Sequence, residues 1–279
     1  MLQRTLAHRG YTIAIVQSRM GSKRVPGKAL ADINGHPLLW HVVRRAEQAE
    51  LVDRVVVATG DGPANDPIAN LCDQYLWACF RGSEDDVLAR YYGAAQHYSA
   101  DVICRVNGDT PLYDGAALDS VIALGALNGW LYATNAEPPM MPDGLDSEAF
   151  TSGILERMHR EAKRLTEREH VTPWLRNGNL VRGVEWGSQP YETNYGEYRG
   201  CVDVPDDLVA VRRIFALGGD DVTWRQAIEI IKHDPDLMLW QSTHLERDAA
   251  YKRQTGLEAH VPVHVDSSAW HNIGSRWHS

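Results

Sequence analysis

From residue 12 the chain alternates short, continuously apolar runs with longer stretches whose apolar positions recur at helical spacing. The short runs are TIAIVQ (12–17), RVVVAT (54–59) and DVICRV (101–106). Between them lie PLLWHVVRRAEQAE (37–50), NDPIANLCDQY (65–75) and SEDDVLARYYGAAQHY (83–98). Ser83, followed three residues later by Asp86, makes a capping-box-like start for the last of these. Strands that are apolar on both faces, each followed by an amphipathic helix, predict a parallel sheet covered by helices on both sides. In such sheets ligands bind at the carboxyl ends of the strands.

The pattern loosens in the middle. NAEPPMMPDGLD (135–146) is rich in Pro, Asn and Asp and reads as a long loop. A short strand, EAFTS, and a helix, GILERMHREAKRL, follow it, and then the charged segment TEREHVTPWLRNG. LVRGVEW (180–186) and YRGCVDV (198–204) read as a second β-like portion. PDDLVAVRRIFAL and TWRQAIEIIKHD read as helices, the first with Pro205 at its first position and Asp206 and Asp207 in its first turn. Residues 1–243 are expected to form one domain and 244–279 an appendage. The tail holds five of the twelve histidines (His244, His260, His264, His271, His278), at no helical metal-ligand spacing, and AHVPVHVD fits one edge strand. A docking arm or oligomerisation strand suits it better than a metal site.

Composition narrows the classes. With 279 residues and 44% apolar content the chain can bury a substantial core, and its net charge of -9 gives no sign of a general nucleic-acid-binding surface. Positive charge used on a polyanion must be concentrated locally. Cys72, Cys79, Cys104 and Cys201 have no CxxC spacing, so neither a disulfide framework nor a zinc site is expected, and the reading is a reducing cytoplasm. No run approaches the length of a membrane span, and the N-terminus lacks the apolar core of a signal peptide.

The first strand runs directly into QSRMGSKRVPGKAL, which gathers Arg19, Lys23, Arg24 and Lys28 on one loop. Like charges so placed repel unless an anion sits among them; a solvated basic turn is the plain alternative. This is not a P-loop. Five residues rather than four separate Gly21 and Gly27, Ala29 follows Lys28 where Ser or Thr is needed, and Pro26 lacks a backbone N–H. Nor is a Rossmann G-x-G-x-x-G present.

The loop resembles the signature A-R-x-x-S-x-R-L-P-G-K of the CTP-dependent sugar-acid cytidylyltransferases, and within them most resembles the spore-coat-polysaccharide (SpsF-like) subgroup. RGSEDDVLARYYGAA, RVNGDTPLYD, DGLDSEAF, REHVTPWL and CVDVPDDLVAVR fit the same pattern in the same order, across about residues 12–235. Ser18, Val25 and Thr110 depart from the usual residues. The resemblance implies a three-layer α/β/α, Rossmann-like fold of the nucleotide-diphospho-sugar transferase type. A small β-rich acceptor or dimerisation portion would adjoin it, and the chain would be a homodimer. It implies transfer of CMP from CTP to a sugar acid or related acceptor, with Mg²⁺ as cofactor and with neither nucleic acid nor membrane as partner.

By the same resemblance Asp109 and Asp203 bind the metal, and Lys28, Arg19 and Asp109 act in catalysis. The nucleotide would lie against Val16, Gln17, Ser18, Arg19, Gly21, Ser22, Arg24, Lys28, Arg81 and Ser83, with Gly82 beside them. Gly108 would let the backbone approach the ligand. Asp109 and Asp203 also suit turn or capping roles, and Asp85 and Asp86 a helix first turn. The acceptor would meet Asn135, Asp143, Asp146, Glu148, Arg168 and His170, with Gly144 at the turn. His170 fits either a general base or a structural histidine. Trp174 and Trp186 suit core positions better than stacking platforms. A sugar-nucleotide-dependent glycosyltransferase shares this architecture but would carry Asp-x-Asp, and NGDT offers one carboxylate there.

Overall fold

The computed structural model describes residues 10–136, 140–175 and 194–244, together with the backbone of 186–188. The elements, in chain order, begin with strand β1 (Thr12–Gln17), the two-residue strands β2 (Asp32–Ile33) and β3 (His36–Pro37), helix α1 (Leu38–Ala46) and strand β4 (Arg54–Gly60). Helix α2 (Asp66–Tyr75), strand β5 (Ala78–Gly82), helix α3 (Val87–His97), strand β6 (Val102–Asn107) and helix α4 (Gly115–Asn128) follow. Next come strands β7 (Tyr132–Thr134) and β8 (Glu148–Thr151), helices α5 (Ser152–Glu161) and α6 (Leu165–His170), and strand β9 (Trp186–Ser188). Helices α7 (Pro205–Gly218) and α8 (Trp224–His233) precede a last helix, α9, described over 235–244.

The main sheet has the order β5-β4-β1-β6-β8-β7-β9. β5, β4, β1 and β6 are parallel, β8 runs antiparallel to both β6 and β7, and β9 is parallel to β7. Alternation along the strands explains the two-sided burial. Ala14 and Val16 of β1 join Val57, Cys104 and Val106 under α1, α2, α4, α7 and α8. Ile13 and Ile15 join Val56, Ala58 and Ile103 under α3, α5 and Trp174. Each strand is therefore apolar throughout, as a parallel sheet with both faces covered requires. Trp174 is core, and Cys104 is a small buried residue in a strand. None of the four cysteines is in a disulfide. Among the described residues no helix is long and apolar enough to cross a membrane.

Several sequence expectations need correction. The α3 helix begins at Val87, not Ser83: Asp86 is its N-cap and accepts from the Ala89 N–H at 2.9 Å, while Ser83 Oγ accepts from the Asp86 N–H. The 198–204 segment is not a strand; it makes one isolated bridge, Arg199 with Asp143, and otherwise runs as loop. Edge strand β5 and helix α4 carry no clear signal in the chain. β5 is only partly buried, and α4 is buried around most of its circumference, including Leu118, Val121, Ile122 and Leu124, so it shows no polar face. LVRGVEW lies outside the described residues except for the backbone of residue 186, as does the tail after 244.

Two tight features set the carboxyl edge. β2 and β3 form a hairpin whose two turn residues, Asn34 (φ 53) and Gly35 (φ 87), take the left-handed conformations of a type I′ turn. Gly108, just past β6, donates its N–H to the Gln17 carbonyl at 2.9 Å, and a Cβ there would lie 2.5 Å from that same oxygen. This glycine permits a close approach between the ends of β6 and β1. Gly108→Ala is expected to cost about 2 kcal/mol through this backbone clash, read as a lower midpoint in urea denaturation with unchanged m-value.

Candidate functional site

The carboxyl ends of β1 and β6 lie side by side, Gln17 opposite Asn107, with the Gln17 side-chain amide donating to Asn107 Oδ1 at 3.1 Å. The basic loop leaves β1 from here. It is closed on itself by the Met20 carbonyl, which accepts from the N–H groups of Ser22 (2.9 Å) and Gly27 (3.2 Å). Val25 is buried beneath the loop, and Ser22 Oγ accepts from the Val25 N–H. Asn65 anchors the start of the loop by accepting from the Met20 N–H, and it donates to Glu84 at 2.6 Å.

Lys28 points inward. Its Nζ donates to Asp109 Oδ2 at 2.7 Å, to the Val202 carbonyl at 2.6 Å and to Asp203 Oδ1 at 3.2 Å. The Val202 N–H in turn donates to the Asp109 carbonyl at 2.9 Å, so the two segments bearing the aspartates are joined by backbone as well as by the lysine. Arg24, itself exposed, reaches Asp203 Oδ1 at 3.2 Å. Burial alone would lower the Lys28 pKa, but Asp109 and then Asp203 outweigh it and raise it above the ordinary lysine value. Burial alone would raise Asp203, but Lys28, Arg199 and Arg24 hold it below the usual aspartate value.

Arg199 is the member of this cluster that the sequence leaves unremarked. Buried, it donates to Asp203 Oδ2 at 2.7 Å, to Asp207 Oδ2 at 3.2 Å and to Asp143. Asp207 sits in the first turn of α7 and accepts from the backbone N–H groups of Asp203 and Val204, as its position after Pro205 suggests. Burial alone would raise Asp207, but Arg199 first, then these N–H groups and the Trp240 indole, lower it.

The other candidates divide. Val16 is buried in β1, and Ser18 is buried with its N–H on the Ala58 carbonyl. Gly21 faces Glu84. Arg19 pairs with Glu169 at 3.3 Å, which ties the loop to α6. Arg81 is spent on the carbonyls of Gly60, Asp61 and Gly62 and on Asp66, and the Ser83 carbonyl accepts from Arg90. On the acceptor side Asn135 is wholly buried and staples the 135–147 loop through the Leu145 carbonyl and the Ser147 N–H. Glu148 is buried among Arg105, Tyr132 and Thr172. Arg168 forks onto Asp86, and His170 is exposed at the end of α6. Asp143 joins the Lys28 cluster through Arg199, whereas Asp146 is partly buried in the loop beside it.

Asp109 and Asp203, each with a side chain a little under one-third exposed, thus offer two hard oxygen donors around one ammonium. Such a pair suits a divalent cation that keeps waters and substrate oxygens in its remaining positions. Among the described residues no group of three or more His, Cys, Asp or Glu forms an all-protein metal cage.

Comparison with known proteins identifies a family model, described as cytidylyltransferase, matching residues 13–226. That range covers nearly all of the stretch over which the motifs run. The spore coat polysaccharide biosynthesis protein SpsF of Bacillus subtilis is 30% identical over 231 residues, spanning 80% of this chain and 94% of that protein. The 3-deoxy-manno-octulosonate cytidylyltransferase of Anaeromyxobacter sp. (strain K) is 30% identical, spanning 75% and 99%. The structure of a cytidylyltransferase from Leptospira borgpetersenii superposes with a TM-score of 0.76 at 27% identity, covering 82% of this chain and 96% of that one.

The depressed carboxylates fix a pH dependence. Asp203 and Asp207 titrate below the ordinary aspartate value of 3.8 when folded, so the native state binds fewer protons than the unfolded chain in acid. Their contribution to stability is complete above the unfolded value and is lost as pH falls through the folded one. Unfolding free energy measured in urea should fall steeply below about pH 4. Asp207→Asn should be less stable at neutral pH yet show a shallower acid slope.

Proposed function

The chain belongs to the cytidylyltransferase family of nucleotidyltransferases, and from that premise we propose that it transfers CMP from CTP to a hydroxyl of a sugar acid or related hydroxylated acid, releasing pyrophosphate, with Mg²⁺ as cofactor. The observation that carries this reading is the placement of Lys28 between Asp109 and Asp203 at the carboxyl edge of β1 and β6. A relative named as a 3-deoxy-manno-octulosonate cytidylyltransferase supports a sugar acid as the acceptor class, and another named for spore coat polysaccharide biosynthesis supports a role in polysaccharide synthesis.

Lys28 bridges the two aspartates, and Arg24 and Arg199 share Asp203 with it. A triphosphate arriving over the loop competes for that ammonium, with Arg24 and Arg19 on the exposed side of the same loop as further phosphate donors. The exchange frees carboxylate oxygens of Asp109 and Asp203 to hold Mg²⁺. When bound there, the ion would neutralise triphosphate charge and that of the departing pyrophosphate. Lys28 fixes the β- and γ-phosphates, so that the bond from the α-phosphorus to the bridging oxygen lies opposite the incoming hydroxyl. An O–P bond forms to the acceptor, the bond to pyrophosphate breaks, and the hydroxyl proton passes to solvent. Gln17 and Asn107, locked to each other at the strand ends, form the floor on which the nucleoside rests.

Pyrophosphate release should occur with CTP, Mg²⁺ and one class of acidic sugar, and not with ATP, GTP or UTP. Release with another nucleotide, or none with CTP across a panel of sugar acids, would overturn the assignment. Lys28→Ala and Asp109→Asn should each lower kcat/KM by about 10²–10³-fold, with a circular dichroism spectrum like that of the parent protein.

A further inference from the structure

Asp203 is held from two sides by different chemistry. Its Oδ1 faces Lys28 and Arg24, the cations that the nucleotide would draw away, whereas its Oδ2 faces Arg199 at 2.7 Å. Arg199 belongs to the interior and not to the phosphate loop: its side chain is 6% exposed, and it is shared with Asp143 and with Asp207, whose side chain is fully buried. Asp207 does a second thing. The oxygen that meets Arg199 also accepts the backbone N–H groups of Asp203 and Val204, and its other oxygen accepts the Trp240 indole N–H at 3.1 Å. The position of Asp203 is therefore fixed through its carboxylate by Arg199 and through its backbone by Asp207. Both of these are braced by α9, where Trp240 holds Asp207 and His244 Nε2 lies 3.4 Å from Arg199.

We propose that Arg199 is a positioning residue that sets the Asp203 carboxylate for the metal, and that Asp207 and Trp240 hold that arrangement in place. The inference rests on the reading of Asp203 as a Mg²⁺ ligand. It extends the site to α9, which lies beyond residue 226, where the family match ends. Charge supports it. Lys28, Arg24 and Arg199 face four carboxylates, Asp109, Asp143, Asp203 and Asp207. Departure of Lys28 and Arg24 toward phosphate leaves Arg199 on Oδ2 of Asp203, so that this carboxylate keeps its place as its other oxygen is released. An arginine suits this post because its fork meets Asp143 through one terminal nitrogen and Asp203 and Asp207 through the other, while a lysine is a single point charge. Removal of an outer partner of a metal-ligating carboxylate lowers metal affinity by about 10–100-fold in general.

The test compares Arg199→Lys, Arg199→Met and Trp240→Phe with the parent protein. Mn²⁺ binding in the presence of CTP and without acceptor is followed by electron paramagnetic resonance. The Mg²⁺ concentration giving half-maximal pyrophosphate release at saturating CTP is measured in parallel. Arg199→Lys should weaken Mn²⁺ binding and raise the Mg²⁺ midpoint by about 10-fold, and Trp240→Phe by a smaller factor, about 3-fold. The KM for CTP at saturating Mg²⁺ should stay within about 3-fold of the parent, against the shift in metal requirement. If Arg199→Met fails to fold, the lysine and phenylalanine variants decide the matter. A lower melting temperature with unchanged Mn²⁺ affinity in both would overturn the proposal and leave the arginine a stability residue only. If the parent protein binds no Mn²⁺ with CTP, the metal reading falls and the proposal with it. If the parent binds and the variants match it, the proposal alone falls.

Discussion

A partly buried primary ammonium held by two carboxylates and a carbonyl ties together three segments that are far apart in the chain: the loop after β1, the turn after β6 and the lead-in to α7. A charge so far removed from water needs its carboxylate partners close by, and Asp109 and Asp203 supply them. The adjacency of β1 and β6 brings Asp109 within reach of Lys28, and the Val202–Asp109 backbone hydrogen bond brings Asp203 to the same point. The loop closure around Met20, the Gly108 contact and the first turn of α7 all serve to hold these three ends where one lysine can join them.

The parts of this arrangement that are readable along the chain are those written in local chemistry. β1, β4 and β6 announce themselves because strands buried on both faces must be continuously apolar. Lys28 stands out as part of the basic loop that follows β1, and Asp109 because it comes two residues after β6. α4 escapes notice for the opposite reason, since a helix enclosed on most sides loses its polar stripe. Residues 198–204 have strand-like composition, yet they meet only one bridge partner, and a strand needs a continuous ladder. Arg199 could not be singled out at all, because its partners Asp143, Asp203, Asp207 and His244 lie on three separate segments.

Polar side chains around the cleft also serve the interior. Asn135, Glu148 and Arg168 sit in the acceptor-side motifs, and each has its hydrogen-bonding groups engaged by the protein: Asn135 by the long loop, Glu148 by Arg105 and Tyr132, Arg168 by Asp86. Buried polar groups are obliged to find such partners. A motif therefore records both the residues that shape a cleft and those that face into it, and their letters alone do not separate the two. Glu169 illustrates the converse, an ordinary acidic letter in a charged segment that meets Arg19 of the basic loop across the fold.

The small β2–β3 hairpin has a mechanical consequence. Asn34 bonds Asp220 at 2.7 Å, and Arg212 of α7 bonds the Asp32 carbonyl at 2.8 Å. On the other side the Leu38 N–H of α1 bonds the Ala31 carbonyl, and His41 meets the Ile33 carbonyl. The segment carrying Lys28 is thus braced against the middle of α7 and the turn that follows it, and α7 begins two residues after Asp203. Lysine loop and aspartate form two corners of a triangulated frame whose third corner is the hairpin. These contacts oppose hinge bending between them and leave the side-chain torsions of Lys28 and Arg24 as the softer coordinates. Exchange of one counter-ion for another can then proceed over a backbone that keeps its shape, with the reorganisation confined to a few rotating methylenes.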